Sequence, residues 1–428
     1  MILSTPFVAR ISILTLFFPL LVGSLLAADW PVFHGPNGDN RSVETGLLKH
    51  WPEGGPPLLW TAEGIGEGVS GYASVTVSDG RIFTSGNLND KSVVYALDEA
   101  NGKILWTYIN GPAWTDTRVY PGTRSTPTVD GDRVYDESAH GQLVCLDVKT
   151  GKPLWEMNIL TEFEGENIEW GLSESVIIDG DKLICCPGGK KGSVVALDKM
   201  TGKPIWIAPD SGHQTSYATP RIIEQDGLRM ILKMDAKGLL AVNAENGDIL
   251  FHHELIHRVD INATMPHYEN GYILIATSAA GSKVVKSICR IKLTVEGNKA
   301  STEEIWTDKR IDNLHDSLFL DNGYIYGSTN YYKNGEWICI RFEDGEVIWE
   351  DRGVGKGSLT VAEGQIYRLP ESGENLSLLE LTPDRFHLIS QFTLPEQGEG
   401  PYWAHPVVCN KKLYIRRGQF LHCYNIAE

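Results

Sequence analysis

The sequence predicts an all-β fold: an eight-bladed β-propeller of four-stranded antiparallel blades, closed by an N-terminal strand that joins the C-terminal blade. Three observations predict it. An eleven-residue unit recurs with a small residue first, glycine seventh and a large aromatic eleventh: Ala96–Gly102–Trp106, Cys145–Gly151–Trp155, Ala196–Gly202–Trp206, Ala241–Gly247–Phe251 and Cys339–Gly345–Trp349. A second hairpin signal lies between successive units, as in "SVTVSDGRIF" and "LFLDNGYIYG". Finally, an orphan half-unit stands at each end of the repeats. "PPLLWTAE" around Trp60 has no hairpin before it, and "FLHCYNIAE" stops where its second strand is due.

Composition bounds the rest. The 428 residues are 42% hydrophobic and 22% charged, an ordinary globular balance. Many of the 44 glycines follow Asp or Asn, a tight-turn signal. A formal net charge of −17 argues against nucleic acid and anionic membrane surfaces as general partners.

Residues 1–28 form a secretory signal. Arg10 precedes an apolar run from Ile11 to Leu26, and small residues follow at Ala27 and Ala28, either of which suits cleavage. The run is short for ~30 Å of hydrocarbon, so a cleaved leader is expected rather than an anchor. No second long apolar run follows, so no transmembrane segment is expected after cleavage. The protein is therefore expected to be exported, to the periplasm or the extracellular space. Residues 29–51 are a lead-in, and residues 52–428 are the propeller.

Each unit is a hairpin: alternating apolar residues, a turn of the D-x-x-T-G-K type, then a strand ending on the aromatic. With the hairpin before it, each makes four strands, one blade. A longer unit runs from Cys289 to Trp306, and the unit between Leu378 and Phe392 is degenerate. The strand around Trp60 completes the blade begun by "FLHCYN", which closes the ring and removes an exposed edge. The repeat aromatics Trp60, Trp106, Trp155, Trp206, Phe251, Trp306 and Trp349 are expected to pack between neighbouring blades.

The A-x-D-x-x-T-G-K-x-x-W pattern resembles the tryptophan-docking repeat of the pyrroloquinoline quinone (PQQ)-type propellers, from about residue 52 to the C-terminus. "DWPVFHGPNGDN" is similar to the lead-in of exported proteins of this kind. The resemblance implies the fold without fixing the function. The group holds quinone-dependent alcohol dehydrogenases and also BamB, a cofactor-free scaffold of outer-membrane protein assembly.

Candidate chemistry is sparse. Cys185 and Cys186 are adjacent, as in the dehydrogenases, where a vicinal disulfide packs against the quinone. Those enzymes also supply carboxylate and amide ligands for calcium, an aspartate base and a tryptophan floor, and no matching set is found here. Cys145, Cys339 and Cys423 occupy the small position of the repeat, so a packing role is expected for the cysteines. Seven cysteines leave at least one unpaired, and no C-x-x-C is present. "HELIH" (253–257) matches H-E-x-x-H, but it falls where the period is strand and loop, not the helix a zincin needs. No metal site is expected.

Aligning the blades on "RSTP", "YATP" and "WAHP" places one residue per blade at the start of the innermost strand: Tyr72, Arg124, Leu172, Tyr217, Ala263, His315, Lys356 and Trp403. The basic and aromatic members, Tyr72, Arg124, Tyr217, His315, Lys356 and Trp403, suit a planar anion, an acidic sugar or a carboxylate-bearing peptide. The alternative is a channel merely filled by side chains and water. The expected role is therefore binding or scaffolding, with a protein partner or a small anionic or sugar ligand at the channel mouth. The alternative function is a PQQ- and calcium-dependent alcohol or sugar dehydrogenase; no cofactor is firmly implied. Sugar processing lacks a paired-carboxylate signature.

Overall fold

The computed structural model describes residues 1, 29–115, 120–255, 261–278, 286–311, 313, 316–329, 335–373 and 375–428. Apart from Met1, the expected signal segment lies outside the described residues, as do His257 and His315. Among the described residues, eight antiparallel sheets form the eight blades, and one short helix, Ile159–Glu162, follows blade 2. Blade 1 runs from axis to rim as Thr76–Ser78, Arg81–Leu88, Lys91–Asp98 and Ile104–Pro112. Among the described residues no helix is long and apolar enough to cross a membrane.

The ring closes as the orphan half-units predict. Leu58–Ala62 pairs antiparallel with Phe420–Asn425 and becomes the outer strand of blade 8, with Trp60 opposite Cys423. The same register sets Trp106 opposite Ala96, Trp155 opposite Cys145, Trp206 opposite Ala196, Phe251 opposite Ala241 and Trp349 opposite Cys339. A small residue at this position leaves room for the large ring across from it.

The spacing of glycine and tryptophan has a packing cause. The indole N–H of Trp155 donates to Lys199 O of the next blade's turn at 3.0 Å. Trp60, Trp106, Trp206 and Trp306 do the same to Glu99, Val148, Ala244 and Phe342 at 2.9–3.2 Å. The ring lies beneath that turn's glycine: a Cβ on Gly202 would stand 2.8 Å from Trp155, and one on Gly151 2.6 Å from Trp106. Gly202 also has φ +71°, a backbone conformation that favours glycine.

Blade 5 departs from the pattern. Its turn is extended to Glu296–Lys299, and Phe251 of blade 4, which has no donor, stands where its neighbours carry Trp. The register also differs from the expected unit. Arg290, not Cys289, faces Trp306, so Cys289 turns to the opposite face of its sheet. Arg290 takes the interblade place, stacked over Tyr272 at 3.6 Å and Phe342 at 4.6 Å.

Cys185 and Cys186 are buried and free. Consecutive strand residues point to opposite faces. Cys185 packs with Tyr135, Leu143 and Cys145 on the blade 2 side, and Cys186 with Trp206, Ile231 and Leu240 on the blade 4 side. They are core residues of two separate interblade contacts.

The lead-in segment packs across one end of the axis. Trp30 forms a bridge with Val77, Val129 N–H donates to Pro31 O at 2.8 Å, and Arg41–Ser42 adds a parallel fifth strand to Gly357–Ala362 of blade 7. Val77, Val129 and Val361 lie late in innermost strands, whereas Tyr72, Arg124 and Lys356 precede those strands. The segment therefore covers the end opposite the predicted mouth. There His34 stacks on Phe33 at 3.9 Å and stands 4.6 Å from His405, with Nδ1 3.6 Å from Asp316.

Burial pushes the His34 pKa well below its ordinary 6.5 and that of Asp316 up to about 8. His267, also buried, is pushed down to about 3. A histidine with a lowered folded pKa weakens folding as pH falls through its unfolded value, because only the unfolded chain then takes the proton. Asp316 acts in the opposite sense, gaining stability as pH falls through 8. His34→Asn isolates the histidine, since asparagine tolerates the φ of +65° at this position. Melting curves from pH 7 to pH 5 should show the parent losing up to ~1.4 kcal/mol per pH unit relative to the variant. Parallel curves would show that His34 does not stay neutral.

Candidate functional site

With its far end covered, the channel becomes a blind funnel of about 470 Å³. Phe33, Asp316 and His405 line it from the covered end, and the wall is aromatic: Tyr72, Tyr120, Trp170, Tyr217 and Trp403. The rings support one another. Trp403 lies 4.7 Å from Tyr72 and 4.6 Å from Tyr120, and Trp170 lies 5.9 Å from Tyr217.

The structure brings Tyr72, Arg124, Tyr217, Ala263, Lys356 and Trp403 into this one cavity. Leu172 is a correction: it is 1% exposed and sits in the core between blades 2 and 3. The chain reaches the cavity two residues earlier, through Trp170. His315 lies outside the described residues, and its neighbour Asp316 lines the cavity.

The two cations differ in what holds them. The Arg124 guanidinium donates to three backbone carbonyls, Gly122 at 3.1 Å, Trp170 at 3.0 Å and Tyr120 at 2.7 Å, and stacks over Tyr72 at 5.3 Å. No carboxylate pairs with it among the described residues, and burial lowers its pKa to about 10, so it stays charged at neutral pH. Lys356 is ion-paired with Glu371, whose other oxygen accepts Trp403 Nε1–H at 3.0 Å. Among the described residues, the expected basic ring is thus one guanidinium without a carboxylate partner beside an internally neutral Lys–Glu pair. Desolvation raises the Tyr72 phenol and takes that of Tyr217 up to about 12, so both rings are neutral donors.

A calcium-bound quinone finds little to hold it. Calcium takes six to eight oxygen ligands. Among the described residues, the carboxylates lining the funnel are Glu371, occupied by Lys356 and Trp403, and Asp316, which accepts Met265 N–H at 3.1 Å and is neutral below about pH 8. The cysteine pair lies in the interblade cores, not at this wall. The donor set fits the planar, carboxylate-bearing part of such a cofactor and does not fit its cation.

Alignment missed Phe33, Tyr120, Trp170, Glu371 and His405. Phe33 arrives from a segment outside the repeat, and Glu371 lies just past the second strand of its blade. Trp170, two residues before the aligned Leu172, carried no repeat signal.

Comparisons with known proteins place the chain. The family described as outer membrane protein assembly factor BamB matches residues 57–186 and 90–351. BamB of Moranella endobia is 24% identical over 281 residues, 63% of this chain and 67% of that protein. The dehydrogenase subunit of the quinone alcohol dehydrogenase of Komagataeibacter europaeus is 32% identical over 150 residues, 30% of this chain. The match spans only 18% of that enzyme's length. The crystal structure of the quinohemoprotein alcohol dehydrogenase from Comamonas testosteroni superposes with a TM-score of 0.64 at 12% identity, over 94% of this chain and 81% of that one. At that identity the likeness shows the fold alone.

Proposed function

Because this chain belongs to the BamB family of PQQ-like repeat propellers, we propose that it is an exported, periplasmic binding module whose funnel receives a planar or ring-shaped anion. The observation that carries this reading is the blind cavity with five aromatic side walls around Arg124, which pairs with no carboxylate among the described residues. Aromatic faces take a ring by stacking, and a partly desolvated guanidinium supplies charge-assisted hydrogen bonds at short range. The Lys356–Glu371 pair adds polarity without net charge. A BamB-type relative argues for a binding role. The dehydrogenase relatives keep a quinone enzyme as the second reading, and the scarcity of calcium ligands among the described residues weighs against it.

The test uses PQQ as the planar tricarboxylate probe, followed by tryptophan fluorescence with and without calcium. Binding independent of calcium is expected. Arg124→Ala should weaken it by ~1–3 kcal/mol per lost charged hydrogen bond. Trp403→Ala should weaken it through lost stacking, with little change in salt dependence. Strict calcium dependence would favour the dehydrogenase reading, and equal affinity for the Arg124→Ala variant would overturn the assignment of the funnel.

A further inference from the structure

Two consecutive histidines on the outer strand of blade 4, Ile249–Glu254, point to opposite faces, and each meets two further side chains of metal-ligating type. His252 gathers His213 and Asp235; His253 gathers Cys289 and Glu304. The two groups are chemically unequal.

In the second, Glu304 is already neutralised by Lys286 at 2.6 Å, and the Cys289 thiol is pushed up to about 12 by burial and by Glu304. A cation there must displace an ammonium and strip a tightly held proton. In the first, Asp235 pairs with no lysine or arginine among the described residues. Its Oδ1 accepts the backbone N–H groups of Lys237 at 2.8 Å and Gly238 at 2.9 Å, which fixes the carboxylate. That leaves Oδ2 aimed at His252 Nε2, 2.9 Å away. The His213 ring stands 4.8 Å from that of His252, and the three ligand atoms lie within 4.8 Å of one another. A hydrogen bond between His252 and Asp235 explains two of these groups and leaves the second imidazole unexplained.

We propose that His213, Asp235 and His252 bind a divalent transition-metal ion of the zinc class. Two imidazoles and one carboxylate suit Zn²⁺ rather than Ca²⁺ or Mg²⁺, which prefer all-oxygen shells. Tetrahedral bonds of ~2.0–2.2 Å set donors ~3.3–3.6 Å apart, so His252 and Asp235 must part slightly from 2.9 Å while any contact towards the 4.8 Å limit closes, a small side-chain rotation. The backbone bonds to Asp235 Oδ1 provide the outer support that ligating carboxylates characteristically have. His213 can adjust because its loop turns at Gly212, φ +78°, yet the loop is tied to the same hairpin by Ala236 N–H to Gln214 O at 3.0 Å. Asp235 is buried, whereas His213 and His252 are partly exposed, so the fourth position faces solvent and takes water or an incoming ligand. The ion joins three pieces of blade 4: the loop entering the blade, the Asp235–Gly238 turn and the outer strand.

The experiment titrates chelator-treated, untagged protein with Zn²⁺ against a chromophoric chelator and repeats the titration with Co²⁺, whose visible spectrum reports the ligand field. One equivalent should bind, raise Tm and give a tetrahedral cobalt spectrum. His213→Gln and His252→Gln should each weaken binding at least ~10-fold, and His253→Gln should leave it unchanged. Melting without metal establishes that the variants fold. Should His252→Gln not fold, His213→Gln on its exposed loop decides alone. Absence of binding at ~1 mM Zn²⁺, or binding abolished by His253→Gln and untouched by His213→Gln, overturns the proposal.

Discussion

Deleting residues 52–62 is expected to make the protein insoluble, or to lower its stability by more than the ~3–5 kcal/mol of one buried aromatic. The segment supplies the outer strand of blade 8, and without it Phe420–Asn425 presents an unpaired edge. It also carries Trp60 and Ala62, which pack with Val77, Ile82, Tyr95 and Leu97 of blade 1. One interblade contact and the outer strand of the closing sheet are lost together, so the ring opens. Denaturant melting of the truncated chain checks this. Added peptide 52–62 should partly restore stability, because an open edge accepts a donated strand. A truncation as stable and soluble as the parent would show that the ring does not depend on its closing strand.

Trp155→Ala is expected to cost ~3–5 kcal/mol, whereas Trp155→Phe, which keeps much of the ring and loses only the bond to Lys199 O, should cost ~1 kcal/mol beyond its smaller size. Gly202→Val should approach the cost of the alanine variant from the other side. Its Cβ would meet the Trp155 ring at 2.8 Å on a backbone with φ +71°. Chemical denaturation of the three variants separates the contributions. If Trp155→Ala and Gly202→Val are each nearly neutral, the interblade docking of the indole under the glycine is wrong. The double variant should be less than additive, since both remove the same contact.

The candidate site was partly legible before the structure. Tyr72, Arg124, Tyr217, Lys356 and Trp403 come from equivalent points of different blades, and a repeat carries equivalent points to one end of its axis. The alignment failed where the local backbone departs from the repeat. Before blade 3, Trp170 turns inward and Leu172 turns into the core, a choice made by packing against blade 2. The charge of the site was not legible either. Lys356 and Glu371 are separated by a whole hairpin and meet only because the two strands pair.

The sequence by itself determined the number of blades, the turn chemistry and the closing strand, because each is a local periodicity: strand alternation, φ-positive turns such as Asn322–Gly323, and a small residue facing a large one. Tertiary structure alone decided where residues 29–51 go, how Cys289 faces and which histidines meet. The lead-in has no period of its own, and its path is set by backbone partners on blades 1, 2 and 7. Cys289 reverses face because a one-residue difference in register inverts a strand's sides. His213, Asp235 and His252 stand far apart in the chain on a loop, a turn and a strand, so no spacing rule joins them. Folding brings them together because one blade packs its entering loop against its own outer strand.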